Sequence, residues 1–390
     1  MGATNGITFN KQELERYSRH LIIPEFNIDG QRKLKGAKVL VVGTGGLGSP
    51  LLLYLTAAGV GTIGILDFDV VDETNLQRQV LFTTDDVGVP KAKAAQARLK
   101  KLNPHVLFVV HETRLTSENA LDIIKDYDLV ADGTDNFPTR YLVNDACVLL
   151  GKPNVYASIF RFEGQVSVFN YTDDNGVTGP NYRDLFPTPP PPGLVPSCAE
   201  GGVIGVLPGI VGSLQANEVI KVITGVGDPL SGRLFLFDAL SFETRVLKLS
   251  KDPENPLTGT HPTLKGLVDY EEFCGITPYG GSAANVKEIS VKEFKQWMDS
   301  GADYQLIDVR EQYEYEIVNL GGDLVPLKTV EESIDRIRSD KKVVVLCRSG
   351  VRSVKAIQSL ERKFGFGNLY NLKGGVLAWV DEIDRSLPKY

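Results

Sequence analysis

Two clusters of residues in this chain of 390 residues have side chains and spacing suited to chemistry. The first is a glycine turn, Gly43-Thr-Gly45-Gly46-Leu-Gly48, which follows an apolar run at residues 37–42. Glycines in such a turn allow backbone N–H groups to approach phosphates at the positive end of a helix. The second is Cys347, which follows an apolar run at residues 342–346 and precedes a helical pattern. The sequence therefore predicts a nucleotide site and a reactive thiol.

Polar and charged side chains follow the strands that are predicted near the glycine turn. They are Asp67, Asp69, Asn75, Gln77, Arg78, Lys91, Asp135 and Asn136. The two carboxylates that follow the second strand stand where a ribose is bound in sheets of this kind. Arg78 and Lys91 are suited to neutralising a triphosphate, and Asp135 to holding a magnesium ion. A dinucleotide binds to a glycine turn through its pyrophosphate and does not need these charged residues. Their presence therefore favours ATP with Mg²⁺ over a dinucleotide.

The thiol lies in a loop between a predicted strand and a predicted helix. The loop residues are Cys347, Arg348, Ser349, Gly350, Val351 and Arg352. Backbone amides at a helix N-terminus and nearby arginines favour the thiolate, which is the reactive form of cysteine. The same surroundings suit a persulfide anion or an oxyanion. Phosphatases have a related cysteine loop, but with one more residue between the cysteine and the arginine than separates Cys347 from Arg352 here. The spacing therefore favours sulfur transfer.

Strand and helix patterns place the nucleotide residues on one sheet. Apolar runs at 37–42 and 62–66 flank a stretch of helical composition at 47–58. This order predicts a right-handed βαβ unit and therefore a parallel sheet. Residues 160–170 and 233–249 alternate between apolar and polar, as antiparallel strands do. We therefore expect a mixed sheet.

The chain divides into two α/β regions. Residues 251–285 are rich in Pro, Gly, Thr and Ser, which is typical of a linker. The expected fold class is α/β, with a Rossmann-like ATP-binding domain at 1–250, a linker at 251–285 and a smaller α/β domain at 286–390.

The composition excludes several classes of protein. Hydrophobic residues make up 42% and charged residues 23% of the chain, which excludes wholesale disorder. The net charge of −7 gives no overall basic surface, so we expect no nucleic-acid partner. The longest apolar stretch is far shorter than the roughly 20 residues that cross a bilayer, and the first residues lack the apolar core of a signal peptide. We therefore expect a cytoplasmic protein without a membrane partner.

Several motifs together resemble the MoeB/ThiF family of adenylating enzymes, which are related to ubiquitin-activating enzymes. The motifs are Arg16-Tyr-Ser-Arg19-His20, the glycine turn, Leu66-Asp-Phe-Asp69, Thr74-Asn-Leu-Gln-Arg-Gln79 and Gly133-Thr-Asp-Asn136. The resemblance covers roughly residues 10–250. It implies that ATP and Mg²⁺ activate the C-terminal glycine carboxylate of a small ubiquitin-fold sulfur carrier that ends in Gly-Gly.

The same resemblance implies roles for single residues of the nucleotide site. Asp67 would contact the ribose, Arg78 and Lys91 the phosphates, and Asp135 the metal. Arg19 would reach the nucleotide of the opposite subunit, so the resemblance implies a homodimer.

The four cysteines have different expected roles. Cys198, in Cys-Ala-Glu-Gly-Gly, stands where relatives with a sulfurtransferase domain carry a thiol that attacks the acyl adenylate; a buried free cysteine is the alternative. Cys147 lies on an apolar helical face, which favours a core position, and Cys274 has no assigned role. Relatives usually bind a structural zinc through two C-x-x-C pairs, but those places here read Asn181-Tyr-Arg-Asp184 and Pro253-Glu-Asn-Pro256. We therefore expect no zinc site.

The thiol loop resembles the active loop of rhodaneses, which carry sulfane sulfur as a cysteine persulfide. Leu306-Ile-Asp-Val-Arg-Glu311 and Leu372-Lys-Gly-Gly-Val-Leu-Ala-Trp379 resemble the N-terminal and C-terminal motifs of that family. The resemblance spans roughly residues 286–390 and implies a sulfur donor such as thiosulfate or a cysteine desulfurase persulfide. The sequence departs from the family at Val318-Asn-Leu-Gly-Gly-Asp323, where we expect altered packing rather than lost chemistry.

Together the two resemblances imply an adenylyltransferase fused to a sulfurtransferase. The Cys347 persulfide would attack the acyl adenylate, directly or with a relay through Cys198, and reduction would release a carrier thiocarboxylate. Such a product would supply molybdopterin, thiamine, cysteine or tRNA thiolation. Two alternatives stay open, an NAD-type dinucleotide-dependent oxidoreductase and a non-catalytic scaffold for a ubiquitin-fold partner. The oxidoreductase leaves Arg78, Lys91 and the thiol loop without a role.

Overall fold

The computed structural model describes residues 6–190, 202–274 and 286–389. The chain separates into two compact units, Met1–Ile276 and Thr277–Tyr390. The glycine turn belongs to the first unit and the thiol loop to the second.

Within the described residues, the first unit is built on one eight-stranded mixed sheet. Its strands are β1 (Lys38–Val42), β2 (Thr62–Leu66), β3 (Leu107–His111), β4 (Leu129–Asp132), β5 (Asn154–Phe160), β6 (Glu163–Phe169), β7 (Arg233–Asp238) and β8 (Glu243–Lys248). Their order is β3-β2-β1-β4-β5-β6-β7-β8. Pairs from β3 through β5 are parallel, and pairs from β5 through β8 are antiparallel. The predicted Rossmann-like fold with a mixed sheet is confirmed.

Helices cover the sheet and connect its strands. They are α1 (Lys11–Arg16), α2 (Ser18–Leu21), α3 (Asn27–Gly36), α4 (Gly48–Ala58), α5 (Lys91–Leu102), α6 (Ala120–Ile124), α7 (Phe137–Leu149), α8 (Tyr182–Leu185), α9 (Leu207–Thr224) and α10 (Tyr270–Phe273), with 3-10 turns at Glu73–Asn75 and Thr84–Asp86. Helix α9 packs against α4 and against β5 and β6. The buried Gln215 of α9 donates from Nε2 to the carbonyls of Asp132 and Val155, which ties this helix to the sheet.

The sequence pattern predicted the central strands and missed the edge strand β3. Strands β1 and β2 are buried apart from their first residues, so their apolar runs are continuous. Strand β3 pairs with β2 and ends the sheet, and its Leu107 and Val109 are exposed. Its mixture of buried and exposed apolar residues gives neither a continuous run nor a clear alternation.

Described residues that follow β8, as far as Cys274, belong to the first unit and contribute to its core. Asn255, Tyr270 and Cys274 are buried, and the Tyr270 hydroxyl donates to Asp145 Oδ2 at 2.7 Å. Cys274 shares a hydrophobic cluster with the buried Cys147. Burial raises the pKa of both thiols, that of Cys274 to about 11. The described part of the predicted linker thus contributes to a core, and the boundaries at 250 and 285 stay a prediction.

The second unit is a smaller α/β domain, as predicted. Its described strands are β9 (Lys287–Ile289), β10 (Tyr304–Asp308), β11 (Asp323–Leu324), β12 (Lys342–Leu346) and β13 (Leu369–Leu372). They pair in parallel in the order β11-β10-β12-β13-β9. The helices are α11 (Val291–Asp299), α12 (Gln312–Ile317), α13 (Val351–Phe364) and α14 (Gly375–Glu382), with 3-10 turns at Leu327–Thr329 and Ile334–Arg336. In the part of the chain that the structure describes, no helix is long and apolar enough to cross a membrane.

Candidate functional sites: a nucleotide pocket and a thiol loop

A cavity of about 1050 Å³ lies at the carboxyl ends of β1, β2 and β4. Ligands of open parallel sheets bind in this kind of crevice. The predicted residues that line it are Gly43, Gly45, Gly46, Asp67, Asp69, Arg78, Lys91, Asp135 and Asn136. Four other predicted residues, all within the described ranges, are not among its lining residues: Gly48, Asn75, Gln77 and Arg19. The structure therefore brings most of the predicted nucleotide residues together.

The glycine turn is held closely by its own helix and by β2. A Cβ at Gly48 would lie 2.0 Å from the carbonyl oxygen of Gly43, so this position requires glycine. Asp67 Oδ2 accepts hydrogen bonds from Thr44 N at 2.8 Å and from Thr44 Oγ1 at 2.7 Å. Its Oδ1 accepts from the backbone N–H of Asp69 at 2.9 Å. Asp67 therefore fixes the shape of the turn and also lines the cavity.

Two of the predicted residues that line the cavity are cations. Lys91 is the first residue of α5, is buried, and places its Nζ 3.1 Å from Asp69 Oδ2. Arg78 donates from Nη1 to the carbonyl of Thr74 at 3.0 Å. Because these positive charges accompany the N–H groups of a glycine turn, the cavity suits a polyanion such as a triphosphate.

Asn75 and Gln77 shape the loop that carries Arg78. Asn75 Oδ1 accepts from the backbone N–H of Asp72 at 3.2 Å, which closes the 3-10 turn. The Gln77 carbonyl lies against Gly205, where a Cβ would approach it to 2.2 Å. Asn75 and Gln77 therefore have structural roles in this loop, in addition to the nucleotide binding predicted for them.

Asp135 and Asn136 lie at the start of α7. Asn136 is its N-cap, and its Oδ1 accepts from the backbone N–H of Thr139 at 3.0 Å. Asp135 precedes the cap and lines the cavity. Across the described ranges, the structure contains no cluster of three or more His, Cys, Asp or Glu side chains that could hold a metal. Mg²⁺ needs no such cluster, because it takes one or two carboxylates together with substrate phosphates, so Asp135 fits this ion.

Two buried polar residues of the cavity, Gln79 and Arg140, are among the lining residues that were not predicted from the sequence. Arg140 on α7 is buried, and its Nη2 donates to the carbonyl of Thr134 at 3.1 Å. Burial raises the pKa of the neighbouring Asp132 despite hydrogen bonds from Thr134 and the charge of Arg140. Gln79 is 4% exposed, and its Oε1 has no hydrogen-bond partner. Gln79 ends one of the recognised motifs, which was a usable signal, whereas nothing in the local sequence marked Arg140.

A cluster of amide, hydroxyl and carboxylate groups lies around residues 181–184 and 253–256, the two places where the family resemblance implies zinc-binding cysteines. This amide cluster comprises Asn181, Asp184, Asn255 and Thr258. Asn181 Nδ2 donates to Thr258 Oγ1 at 2.9 Å, and Asn255 Nδ2 donates to Asp184 Oδ1 at 2.6 Å. Asp184 Oδ1 also accepts from the backbone N–H of Asp252 at 2.9 Å. The side chains satisfy one another and offer no thiolate, so they do not fit a structural zinc.

The thiol loop places Cys347 between β12 and α13. Its Sγ accepts a hydrogen bond from the backbone N–H of Gly350 at 3.1 Å and one from Ser353 Oγ at 3.4 Å. The C-terminal motif packs against the loop: Val376 N donates to the Cys347 carbonyl at 3.0 Å, and a Cβ at Gly375 would lie 2.3 Å from that oxygen. Because a side chain at position 375 would collide with this carbonyl, the motif requires glycine there. The contact also holds the loop over the buried thiol.

The second arginine of the thiol loop is bound by an acidic residue. Arg352 Nη1 and Nη2 each lie 2.6 Å from an oxygen of Glu314. Burial acts to raise the pKa of Glu314, but the Arg352 hydrogen bonds and charge outweigh it and lower that pKa below its usual value. The N-terminal motif joins the same network, since the buried Arg310 pairs with Asp308 and donates to the carbonyl of Val318 at 2.7 Å. The segment 318–323, where the sequence departs from the rhodanese pattern, therefore takes part in packing near the thiol loop.

The other predicted catalytic cysteine, Cys198, lies outside the described residues.

Two known families match the chain in separate regions. Residues 17–257 match the ThiF family, and residues 290–382 match the rhodanese-like domain. The chain is 49% identical to the probable adenylyltransferase/sulfurtransferase MoeZ of Mycobacterium tuberculosis, over 98% of this chain and 96% of the relative. It is 57% identical to the sulfur carrier protein adenylyltransferase of Thermus thermophilus, over 69% of this chain and 99% of the relative. The solved structure of E. coli MccB shares the fold of the first unit, with a TM-score of 0.56 and 24% identity over 67% of this chain and 75% of that one.

Proposed function

Since the chain belongs to the ThiF family and carries a rhodanese-like domain, we propose that it adenylates a ubiquitin-fold sulfur carrier and then transfers sulfur to it. The observation that carries this proposal is the presence of two separate sites in one chain. One is a cavity for a polyanion lined by Arg78, Lys91 and Asp135. The other is a thiol that accepts hydrogen bonds at the start of a helix. An adenylyltransferase and sulfurtransferase needs both sites.

Adenylation would activate the C-terminal glycine carboxylate of the carrier. A carboxylate is a poor electrophile, so one of its oxygens attacks the α-phosphorus of ATP and pyrophosphate leaves. The product is an acyl phosphate anhydride with AMP. Arg78, Lys91 and the turn amides would neutralise the phosphates, while Asp135 would hold Mg²⁺ and Asp67 the ribose. Catalysis of this kind consists mostly of alignment and charge stabilisation.

Sulfur transfer would begin at Cys347. Attack of its thiolate on the sulfane sulfur of thiosulfate forms a persulfide and releases sulfite; attack on a cysteine desulfurase persulfide releases that enzyme's thiol instead. The Gly350 N–H and Ser353 hydroxyl that contact Sγ support this role, because such donors stabilise sulfur anions.

The persulfide would then attack the acyl carbon of the carrier adenylate, and AMP leaves. The product is an acyl disulfide between the carrier and Cys347. A thiol, either Cys198 or a small cellular thiol, attacks Cys347 Sγ and forms a new disulfide, so the carrier departs as a thiocarboxylate. A second thiol then reduces that disulfide and restores Cys347.

The assembly and pathway follow from the same proposal. We place Arg19 at the nucleotide of the opposite subunit in a homodimer, in agreement with its absence from the lining of its own cavity. The thiocarboxylate would serve molybdopterin, thiamine, cysteine or tRNA thiolation.

Carrier-dependent exchange of pyrophosphate into ATP tests the adenylation step. We expect the wild-type protein to catalyse exchange only with a carrier that ends in Gly-Gly. Asp135→Ala should lower the rate on the order of 100-fold. Asp122→Ala changes a surface carboxylate outside the cavity and is the matched control.

Other outcomes would support the rival functions. Carrier binding without exchange, unaffected by Asp135→Ala, would support a scaffold. Nicotinamide binding without exchange would support an oxidoreductase.

A further inference from the structure

The segment 267–271 forms part of the wall of the nucleotide cavity. All five residues, Leu267, Val268, Asp269, Tyr270 and Glu271, line it. They lie beyond the ThiF family match, which ends at residue 257, and within the stretch whose composition predicts a linker. No part of the adenylation chemistry described above uses them.

The sheet order indicates which end of a nucleotide this wall would face. The strands run β3-β2-β1-β4, and the cavity residues follow their carboxyl ends. The glycine turn after β1 and Asp135 after β4 mark the phosphate end, and Asp67 after β2 marks the ribose. The base must then lie farther along the same edge, at the loop 114–118 that follows β3.

The segment is attached to that loop. Ser117 Oγ donates to the carbonyl of Val268, and Arg114 Nη1 lies 3.1 Å from Glu271 Oε1. The Arg114 guanidinium also lies over the ring of Phe68, 4.6 Å from its centre, and Phe68 lines the cavity. The loop 114–118 and the segment 267–271 therefore form a single wall at the base end.

A buried network anchors the segment to the core from its other side. The Tyr270 hydroxyl donates to Asp145, which pairs with the fully buried Arg183 at 2.7 Å. Phe273, one turn later, packs against Tyr141 and lies under the Arg183 guanidinium. Because both ends of the wall are fixed in this way, its shape is set before a ligand binds.

We infer that residues 267–271 complete the base subsite of the nucleotide pocket, with Leu267 and Val268 as its apolar face. The inference rests on the proposed function, since it takes ATP as the ligand. It assigns a binding role to the chain immediately before the second unit, and it predicts that this stretch affects affinity for the base but not for the phosphates.

The test compares Leu267→Ala with Leu249→Ala in the full chain. Both leucines are partly buried and pack against the same hydrophobic cluster, but only Leu267 lines the cavity. We expect Leu267→Ala to raise the KM for ATP in pyrophosphate exchange, and the Kd of ATP by calorimetry, about tenfold. Leu249→Ala should leave both values at the wild-type level.

Inorganic tripolyphosphate serves as the probe for the phosphate end. Its inhibition constant should be the same in the wild-type protein and in Leu267→Ala, because it has no base. An unchanged Kd for ATP in Leu267→Ala, or an equal loss of ATP and tripolyphosphate affinity, would overturn the inference. Failure of the proposed function is distinct, because it appears as absent exchange in the wild-type protein, while the calorimetric comparison still tests the wall.

Discussion

Two donors that contact the Cys347 sulfur are neutral groups. Cys347 Sγ accepts from a backbone N–H and from the Ser353 hydroxyl, whereas Nη1 and Nη2 of the Arg352 guanidinium both donate to Glu314. The sequence alone suggested that loop arginines would act on the thiol. The pairing gives Arg352 a second task, which is to tie α13 to the N-terminal motif. A partner 38 residues away in the chain cannot be read from the local sequence.

The Glu314–Arg352 pair should make stability depend on acid. The pKa of Glu314 is lower in the folded chain than its usual 4.5, so its carboxylate stabilises the fold above that pH and loses this effect as the pH falls through the folded value. We expect Glu314→Gln to cost about 2 kcal/mol of unfolding free energy at pH 7 and progressively less as the pH falls below 4.5. Thermal unfolding of both proteins across this range measures the difference. A constant difference at all pH values would contradict the role of this ion pair.

Gln79 provides a second prediction at the residue scale. Its buried Oε1 has no partner, so it is available to accept a hydrogen bond from a hydroxyl or N–H of a bound ligand. Replacing it with leucine removes an unsatisfied polar atom, so Gln79→Leu should keep or raise the melting temperature. The same variant should raise the KM for ATP or for the carrier about tenfold. Unchanged kinetics in a stable Gln79→Leu protein would show that this residue contacts neither ligand.

At the scale of elements, local patterns predicted the two sites because each site is local. The glycine turn directly follows β1, and Cys347 directly follows β12, so a buried strand and a short motif suffice to place them. The wall at 267–271 was missed because it depends on long-range contacts. Tyr270 reaches Asp145 across 125 positions of the chain, and a composition rich in Pro and Gly gives no sign of such a contact.

The amide cluster joins two segments without metal coordination. Asn255 is buried and donates to Asp184 and Asn181, so Asn255→Ala should lower the free energy of unfolding by about 1–3 kcal/mol. Asn175, whose side chain is exposed on a turn, supplies the control Asn175→Ala. A chelator should leave the melting temperature of the wild-type protein unchanged. A large loss of stability on chelation would show that this edge binds a metal.

At the scale of the whole molecule, the chain carries two chemistries on two compact units. The first unit presents the cavity at the carboxyl ends of its parallel strands, and the second presents Cys347 at the carboxyl end of β12. In the proposed function, the same structural feature, a strand that ends at a helix N-terminus, would serve a nucleotide in one unit and sulfur in the other. In the proposed function both sites must act on a single carrier.

The mass of the carrier after reaction tests this requirement most directly. The mixture contains the protein, ATP with Mg²⁺, thiosulfate, a reducing thiol and a carrier that ends in Gly-Gly. We predict the mass increase that corresponds to replacement of one carboxylate oxygen by sulfur, dependent on ATP and absent with Cys347→Ala. Formation of the thiocarboxylate by Cys347→Ala at the wild-type rate would contradict the proposed route of sulfur.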